Sequence, residues 1–357
     1  MRKRVYPGGA DSPKTVSIKD IARSAKVSHS TVSRALNNSP RVKSETVERI
    51  RRIAEQSGYR GSAIARSLAT QRTMSIGVVV TTIADLFAAG VVSGIETVAG
   101  DHGYSVFLAN SNADPDREMR VVRTFEERRV DGIIVTASRV GALHLPLLSR
   151  LNVPIVMLNN QHPSNFAHSV MIENFSASYE ATTHLIELGH RRIAYIGDRN
   201  GRRSDTERFG GYRQALDSGN LLFQPEYVLY GSGTPESGRE AMAAFLKLPE
   251  PPTAVFCYDD MTALGAMRQI HATGLQVPGD ISVVGFDDLS IVQFAEPPLT
   301  TIRQPMSEMG RLAMEAMLDL LGGSGATHEI KVRGELIVRG STGPVKTNQY
   351  QVARLPS

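Results

Sequence analysis

The chain has 357 residues, 41% of them hydrophobic, which is enough for a small head and one or two medium-sized domains with packed cores. Its single cysteine, Cys257, excludes an intramolecular disulfide and a cysteine-based zinc site, and it indicates a reducing compartment. Because no apolar run suits a secretory signal or a membrane span, a soluble cytoplasmic protein is expected.

Charge is unevenly distributed along the chain. Residues 1–72 contain sixteen Lys and Arg against five Asp and Glu, a net charge of +11, whereas the remaining 24 basic and 31 acidic residues give −7. A folded basic segment attracts nucleic acid, because each phosphate contact releases condensed counterions. A solvated, disordered arm is the alternative for such a charge block.

Three helices are predicted in this basic head. Ser17 and Asp20 have capping-box spacing at the start of the first helix, and Ser28 can cap a second one. A third helix is expected from Ser44 to about Ser57. Two short helices separated by about three residues have the form of a helix-turn-helix, although tight helical corners also occur in purely structural bundles.

The second helix is predicted to have a buried face and a polar outer face. At 100° per residue, Val32 and Ala35 fall on one side, Ser30 and Arg34 lie opposite, and His29 is on the flank. Short polar groups together with an arginine suit the major groove of DNA. The charge and this face together favour nucleic-acid binding.

A further short helical segment is predicted at Ser62–Leu68, where Ile64 and Leu68 are one turn apart. It is too short to be stable alone in water. We therefore expect it to fold only against a partner and to act as a switchable hinge.

The head resembles the DNA-binding head of the lactose-repressor (LacI/GalR) family of bacterial transcription regulators. The resemblance rests on the run Ser17–Asn37, on Gly58-Tyr59 and on Ala65–Leu68, with the family's spacing kept without gaps. Gly61-Ser62 departs from the Pro-Asn that many members have. The resemblance implies phosphate contacts near the first helix, base contacts from the second, and a minor-groove wedge in the hinge. The DNA-binding positions that it implies are Ser17, His29, Ser30, Arg34, Asn37, Arg41, Ser62, Ile64 and Leu68.

From Ser75 onward, apolar strands alternate with amphipathic helices, which predicts parallel sheets with crossover helices. The strands of the first series are Ser75–Val80, Tyr104–Ala109, Gly132–Thr136 and Pro154–Leu158, with helices near Asp85–His102, Pro115–Arg129 and Gly141–Leu151. Those of the second series are Arg192–Gly197, Tyr227–Tyr230, Thr253–Tyr258 and Ser282–Asp287, with helices near Ser176–Leu188, Thr206–Ser218, Pro235–Leu246 and Asp260–Thr273. Two such lobes, side by side, form a cleft at the carboxyl ends of their strands.

No catalytic motif is present, so binding rather than turnover is expected, with no cofactor and no metal. The pair Asp259-Asp260 is as consistent with a helix cap as with a metal ligand.

The body also resembles the family, and the similarity extends from Ser17 to Gly343. It implies an α/β fold in which a helix-turn-helix head precedes two parallel-sheet lobes of the periplasmic-binding-protein type, with crossings near Asn174, Leu299 and Lys331. A secreted binding protein shares this fold and is a competing class. The implied domains are a tail (1–15), a helix-turn-helix (16–61), a hinge (62–73), a core (74–343) and a second tail (344–357). Within the core, the first lobe covers about 74–173 and 300–330, and the second about 174–299 and 331–343.

Candidate effector ligands stand where strands end or helices begin. An arginine and several carboxylates can grip adjacent hydroxyls, and an aromatic ring can cover the apolar face of a sugar. By resemblance, Arg208 and Asp287 match the most regular effector contacts of the family, and Asp259 stands where members usually have Asn. The candidates are Asp85, Phe87, Arg208, Phe256, Asp259 and Asp287.

The expected function is that of a nucleoid-associated regulator, a repressor controlled by a small sugar-like effector. The partners implied are a palindromic double-stranded operator, the effector and a second copy of the chain, in a homodimer or a tetramer, without a membrane. The alternatives are a purine or phosphorylated sugar acting as co-repressor, and an activator. Outside regulators, the alternative is a cytoplasmic ligand-binding or enzymatic α/β protein with an incidental basic head.

Overall fold

The computed structural model describes residues 16–36, 39–59, 72–138, 150–151, 153–160, 168–200, 203–323 and 328–346. The chain divides into two compact units, a head up to Met74 and a core from Ser75. Within the described ranges, no helix is long and apolar enough to cross a membrane.

The described residues of the head form three helices, α1 (Ile18–Ala25), α2 (His29–Leu36) and α3 (Ser44–Gln56). Each contributes apolar residues to one small core, in which Val32 and Ile50 are fully buried. The caps predicted from the sequence are present. The Asp20 carboxylate accepts hydrogen bonds from the backbone N–H and the hydroxyl of Ser17, at 3.0 and 2.6 Å, and the Thr31 N–H donates to the Ser28 hydroxyl at 3.1 Å.

The described residues of the core form two six-stranded sheets. The strands are β1 (Ser75–Val80), β2 (Ser105–Asn110), β3 (Gly132–Thr136), β4 (Ile155–Leu158), β5 (His168–Ile172), β6 (Ile193–Asp198), β7 (Val228–Gly231), β8 (Ala254–Cys257), β9 (Ser282–Asp287), β10 (Thr300–Arg303), β11 (His328–Val332) and β12 (Glu335–Ile337). Strand order is β11-β5-β4-β3-β1-β2 in the first sheet and β12-β10-β9-β8-β6-β7 in the second. All neighbouring strands are parallel except β10 and β12.

Helices connect the strands of each sheet. They are α4 (Leu86–Asp101), α5 (Pro115–Glu127), α6 (Asn174–Glu187), α7 (Arg203–Ser218), α8 (Pro235–Phe245), α9 (Asp260–Ala272) and α10 (Met306–Leu321). Central strands such as β3 and β8 are buried along their whole length, as parallel strands with covered faces are. Cys257 lies in one of them and is fully buried.

One predicted lobe crossing needs correction. The second was expected near Leu299, but Thr300–Arg303 pairs with β9 in the second sheet, so the chain returns to the first sheet only after Arg303. The third was expected near Lys331, which agrees with the end of β11 beside β5 at Val332. Backbone pairing with a distant strand, rather than local apolarity, decides where these short segments belong.

Several elements lie outside the two predicted series, namely β5, β10, β11, β12 and α10. Residues 141–149 of the helix predicted near Gly141–Leu151 and the whole hinge helix Ser62–Leu68 lie outside the described residues. Helix α10 packs on α4 through two glycines. A Cβ atom at Gly94 would meet the backbone of Ser307, and one at Gly310 would meet the backbone of Val91. This close approach fixes α10 against the first lobe.

Candidate functional site

The outer face of α2 carries the predicted base-contacting residues. His29, Ser30 and Arg34 are exposed, whereas Val32 and Ala35 on the opposite side are fully buried. The Ser30 hydroxyl shares a 2.8 Å hydrogen bond with that of Ser28 at the helix start. Helix α2 therefore presents a polar face with an arginine, as its periodicity predicts.

The other predicted DNA contacts of the head differ in their placement. Ser17 and Arg41 are exposed, but the Ser17 hydroxyl donates to Asp20. These hydrogen bonds from Ser17, with Arg23 nearby, lower the pKa of Asp20, so the first turn of α1 keeps a carboxylate. The predicted contacts Asn37, Ser62, Ile64 and Leu68 lie outside the described residues.

The basic residues of the described part of the head lie on the surface of a folded unit. The exposed ones are Lys19, Arg23, Lys26, Arg34, Arg41, Lys43, Arg49, Arg51 and Arg52. A three-helix core supports them, which distinguishes this region from a disordered basic arm.

The core contains a cleft of about 370 Å³ at the carboxyl ends of strands from both sheets. Lobe 1 contributes Thr81, Asp85 and Phe87. Lobe 2 and the segment leaving it contribute Ser204, Arg208, Tyr258, Asp259, Asp287 and Gln304. The volume is at the lower end of the range for small-molecule sites, about 300–1,000 Å³.

Arg208 is fixed in this cleft by contacts on three sides. Its Nε donates to Asn174 Oδ1 at 2.9 Å, and an Nη donates to the backbone oxygen of Tyr258 at 2.5 Å. Its guanidinium carbon lies 3.5 Å from the ring centroid of Phe286. A planar cation held this way is preorganised to bind a ligand.

Asp287 ends β9 with a φ of 122°, a conformation that costs energy for any residue other than glycine. Gln304 Nε2 donates to its Oδ1 at 2.5 Å. Burial, followed by the neighbouring carboxylates of Asp260 and Asp259, raises the pKa of Asp287 well above its usual range, although Arg208 opposes the shift.

Asp85 and Asp259 line the cleft and also cap helices. Asp85 Oδ1 accepts the Phe87 N–H at 3.0 Å at the start of α4, and Asp259 Oδ1 accepts the Thr262 N–H at 2.7 Å at the start of α9. The cap and the site are therefore compatible functions of the same carboxylates, since a carboxylate has two oxygens. Phe87 also packs against the hydrophobic core of lobe 2.

The prediction that Phe256 lines the cleft is wrong. Its ring is fully buried, with the ring centroid 5.6 Å from that of Tyr195. Tyr258, two residues further towards the carboxyl end, reaches the cleft instead. The alternation of side chains along a strand shows which face of the sheet a residue is on. It does not show which residue is near enough to the carboxyl end of the strand to reach the cleft.

Sequence reasoning did not name several residues of the site, among them Tyr258 and Gln304, which line the cleft, and Asn174, which holds Arg208. Asn174 was noted only as a crossing point, Tyr258 only as the end of a strand, and Gln304 follows a strand that was not in the predicted series. For Gln304 the sequence offered only its position two residues after Leu299–Ile302, a short segment of leucine, isoleucine and two threonines.

No group of three His, Cys, Asp or Glu in the described part of the chain could hold a metal ion. Of the pair Asp259-Asp260, Asp260 is fully buried and accepts hydrogen bonds from the Thr301 hydroxyl at 2.5 Å and the Leu289 N–H at 2.8 Å. Burial is the main cause that raises its pKa to about 7. Asp260 thus ties the start of α9 to β10 and to the loop that follows β9.

Comparison with known proteins agrees with both units. Residues 17–62 match the bacterial regulatory proteins of the lacI family, and residues 182–342 match the periplasmic binding protein-like domain. The HTH-type transcriptional repressor CytR of Escherichia coli strain K12 is 37% identical over 327 residues, which are 91% of this chain and 96% of CytR. The HTH-type transcriptional repressor PurR of Haemophilus influenzae strain PittEE is 35% identical over 328 residues, 91% of this chain and 98% of PurR.

A solved structure extends this similarity to the fold. The Lac repressor dimer bound to operator and the anti-inducer ONPF superposes with a TM-score of 0.84 at 28% identity, covering 92% of this chain and 100% of that chain. The chain therefore belongs to the lacI family of bacterial regulatory proteins. The predicted fold class is confirmed, and the chain is a DNA-binding transcription regulator rather than an enzyme.

Proposed function

We propose that this regulator is a repressor whose affinity for a palindromic operator is controlled by a small sugar-like effector in the cleft. The proposal rests on one observation: Arg208 and Asp287 both line a cleft of a size that suits a small ligand. The same chain has a head whose basic residues are exposed. The repressors CytR and PurR, similar over nearly their whole length, support the direction of control.

On DNA, His29, Ser30 and Arg34 contact base edges in the major groove, since they form the exposed face of α2. Ser17, Asn37 and Arg41 contact the phosphate backbone or, for Arg41, a further base. Ser62, Ile64 and Leu68 belong to the hinge, with Leu68 entering the minor groove. Two copies acting as a dimer match the two halves of the operator, in the cytoplasm and on the nucleoid.

In the cleft, Arg208 and Asp287 hydrogen-bond adjacent hydroxyls of the effector. Further contacts come from Asp85, Asp259 and Phe87. A fixed guanidinium beside a carboxylate offers paired donors and acceptors, which suits a polyhydroxyl ligand. Effector binding then changes operator affinity through one two-state arrangement of the lobes, since each ligand shifts the equilibrium that the other one uses.

The DNA half of the proposal is tested with Arg34→Ala. The probe is a labelled palindrome selected by the full chain from random sequence. We expect Arg34→Ala to lower specific affinity by about 10- to 100-fold and to relax the preference at one base pair of each half-site. Arg23→Ala is the control, because Arg23 is an exposed arginine of α1 that pairs with Asp20. It removes the same charge and leaves the base preference intact.

Equal affinity of the Arg34→Ala variant and the unchanged chain for the selected palindrome would contradict this assignment. Transcription from a promoter that carries the palindrome separates the remaining alternatives. A repressor lowers transcription, and an activator raises it. A purine or phosphorylated sugar acting as co-repressor tightens operator binding, whereas an inducer weakens it.

A further inference from the structure

An ion pair of the described residues joins the two lobes. Arg203 is the first residue of α7, in the second lobe, and its Nη2 lies 4.0 Å from Oε1 of Glu329 on β11 of the first sheet. Arg203 Nη1 also lies 3.4 Å from Sδ of Met171 on the neighbouring strand β5. The guanidinium of Arg203 therefore reaches from the second lobe to the edge of the first sheet.

The pair lies beside two of the places where the chain crosses between the lobes. Strand β5 ends at Ile172, just before α6 begins, and β11 ends at Val332, just before β12 begins. A separation of 4.0 Å is longer than a hydrogen bond, so a relative shift of about 1 Å would either bring the two charges into bonding distance or separate them. The energy of the pair therefore depends on how the lobes are arranged.

Arg203 is held in place from its own side of the gap. Its Nε donates to Oε1 of Glu207, one turn further along α7, at 2.7 Å. The other oxygen of Glu207 accepts from Asn174 Nδ2 at 2.9 Å, and Asn174 Oδ1 accepts from the Nε of Arg208 at 2.9 Å. The contact with Glu207 is internal to α7, so Glu329 is the charged partner that a movement between the lobes would bring closer or take away.

The surroundings of the pair are only partly open to water. The side chains of Arg203 and Glu207 are 27% and 28% exposed, and that of Glu329 is 49% exposed. Water and salt screen a fully exposed pair, whereas a half-buried and already oriented guanidinium keeps more of its attraction. Lys331 is a competing partner, because its Nζ lies 3.9 Å from the same oxygen of Glu329.

We propose that Arg203 and Glu329 form a latch between the lobes, which stabilises the lobe arrangement of this structure over arrangements in which the two residues are further apart. This inference goes beyond the proposed function, because it holds whatever the cleft binds. Since α7 carries both Arg203 and the cleft residue Arg208, the latch acts on a helix that lines the cleft.

The experiment measures the distance between the lobes in the full chain, without ligand or DNA, by double electron–electron resonance. Spin labels are attached at Asp101→Cys, at the end of α4 in the first lobe, and at Lys247→Cys, after α8 in the second. Both positions are exposed, and Cys257 is fully buried and stays unlabelled. An excess of unlabelled chain ensures that the measured distances are those within one chain.

Glu329→Gln removes the charge and keeps the size of the side chain. We expect the population of other lobe arrangements, relative to the arrangement of this structure, to rise about two- to fivefold. In the Arg203→Gln background, Glu329→Gln should have no further effect, because the interaction is already gone. Glu335→Gln is the control, since Glu335 pairs with Arg303 at 3.4 Å within the second sheet, and it should leave the distances unchanged.

Salt provides a second measurement on the same labelled chains. Raising the salt concentration from about 0.05 M to about 1 M should shift the unchanged chain towards the distances of Glu329→Gln and leave Glu329→Gln itself unaltered.

Identical distances in Glu329→Gln and the unchanged chain would overturn the latch. An undiminished effect of Glu329→Gln in the Arg203→Gln background would also overturn it, and would assign the effect to Lys331. Because neither ligand nor DNA is present, these outcomes leave the proposed effector and operator untouched.

Discussion

At the residue scale, the placement of Arg208 decides what the cleft can hold. Its guanidinium hydrogen-bonds Asn174 and the Tyr258 backbone and stacks on Phe286. Asn174 in turn donates to Glu207 Oε2 at 2.9 Å, and Glu207 Oε1 accepts from Arg203 at 2.7 Å. A chain of polar contacts therefore leads from the cleft to the first residue of α6, where the backbone enters the second lobe.

Arg208→Lys tests this placement. Lysine keeps the charge but lacks the planar fork, so it cannot reproduce the stacking and the two directed bonds. We expect effector affinity to fall at least about tenfold by calorimetry. The control is Arg213→Lys, since Arg213 stacks on Phe223 outside the cleft, with 3.8 Å from its guanidinium carbon to the ring centroid. Unchanged effector affinity in Arg208→Lys would contradict the assignment of Arg208.

His190 gives the core a specific pH response. Its ring nitrogens hydrogen-bond Thr253 and Ser282 at 3.0 Å and the Gly343 carbonyl at 3.1 Å. Burial lowers its pKa below the usual 6.5, so the folded core favours the neutral ring. Its stabilising contribution is therefore complete above about pH 6.5 and is lost as the pH falls through the lowered pKa.

The measurement is denaturant unfolding of the full chain at pH 7.5 and pH 5.5. At pH 7.5, His190→Gln should cost about 1–3 kcal/mol, because buried partners lose their hydrogen bonds. The decrease in unfolding free energy on acidification should be smaller in His190→Gln than in the unchanged chain. His271→Gln is the control, since His271 is exposed. Equal decreases in His190→Gln and the unchanged chain would argue against this account.

At the element scale, the contact between α4 and α10 depends on the absence of side chains at Gly94 and Gly310. A Cβ at Gly94 would meet backbone atoms of Ser307, which cannot rotate away. We therefore expect Gly94→Ala to destabilise the core by about 1–3 kcal/mol in denaturant unfolding. Gly100→Ala in the same helix meets nothing within 4 Å and should stabilise it by up to about 1 kcal/mol. Similar values for the two variants would show that the close approach is not required.

The local sequence pattern was sufficient to predict the bounds of strands that are continuous and buried. Strands β1, β3 and β9 have the predicted bounds, because uninterrupted apolar runs between polar turns mark buried parallel strands. It was insufficient for β10, a four-residue strand with two threonines, and for β11, whose partner β5 lies about 160 residues earlier. The sheet to which such segments belong is decided by tertiary pairing.

The same limit applies to the site. Arg208, Asp259 and Asp287 stand at the ends of elements that were predicted, so their arrival in the cleft follows from the parallel topology. Phe256 was misplaced because an apolar pattern indicates burial without showing how far along the strand the site opens. Gln304 was missed because its position depends on the late crossing after Arg303.

At the scale of the whole molecule, the chain combines a basic head with an acidic body, and each charge has a structural location. Exposed Lys and Arg cover the described part of the three-helix head. Three acids of the body, Asp85, Asp259 and Asp287, line the cleft. The account therefore predicts a reciprocal coupling between the two units: whatever the cleft binds changes the affinity for the operator, and the operator changes the affinity for the effector.

The most direct test is fluorescence anisotropy of the full chain on its selected palindrome at fixed salt, with and without a ligand shown by calorimetry to bind. We predict that the ligand changes operator affinity at least about fivefold. Arg208→Lys should abolish this change while keeping the ligand-free operator affinity. A ligand that saturates the cleft and leaves operator affinity unchanged would contradict the account.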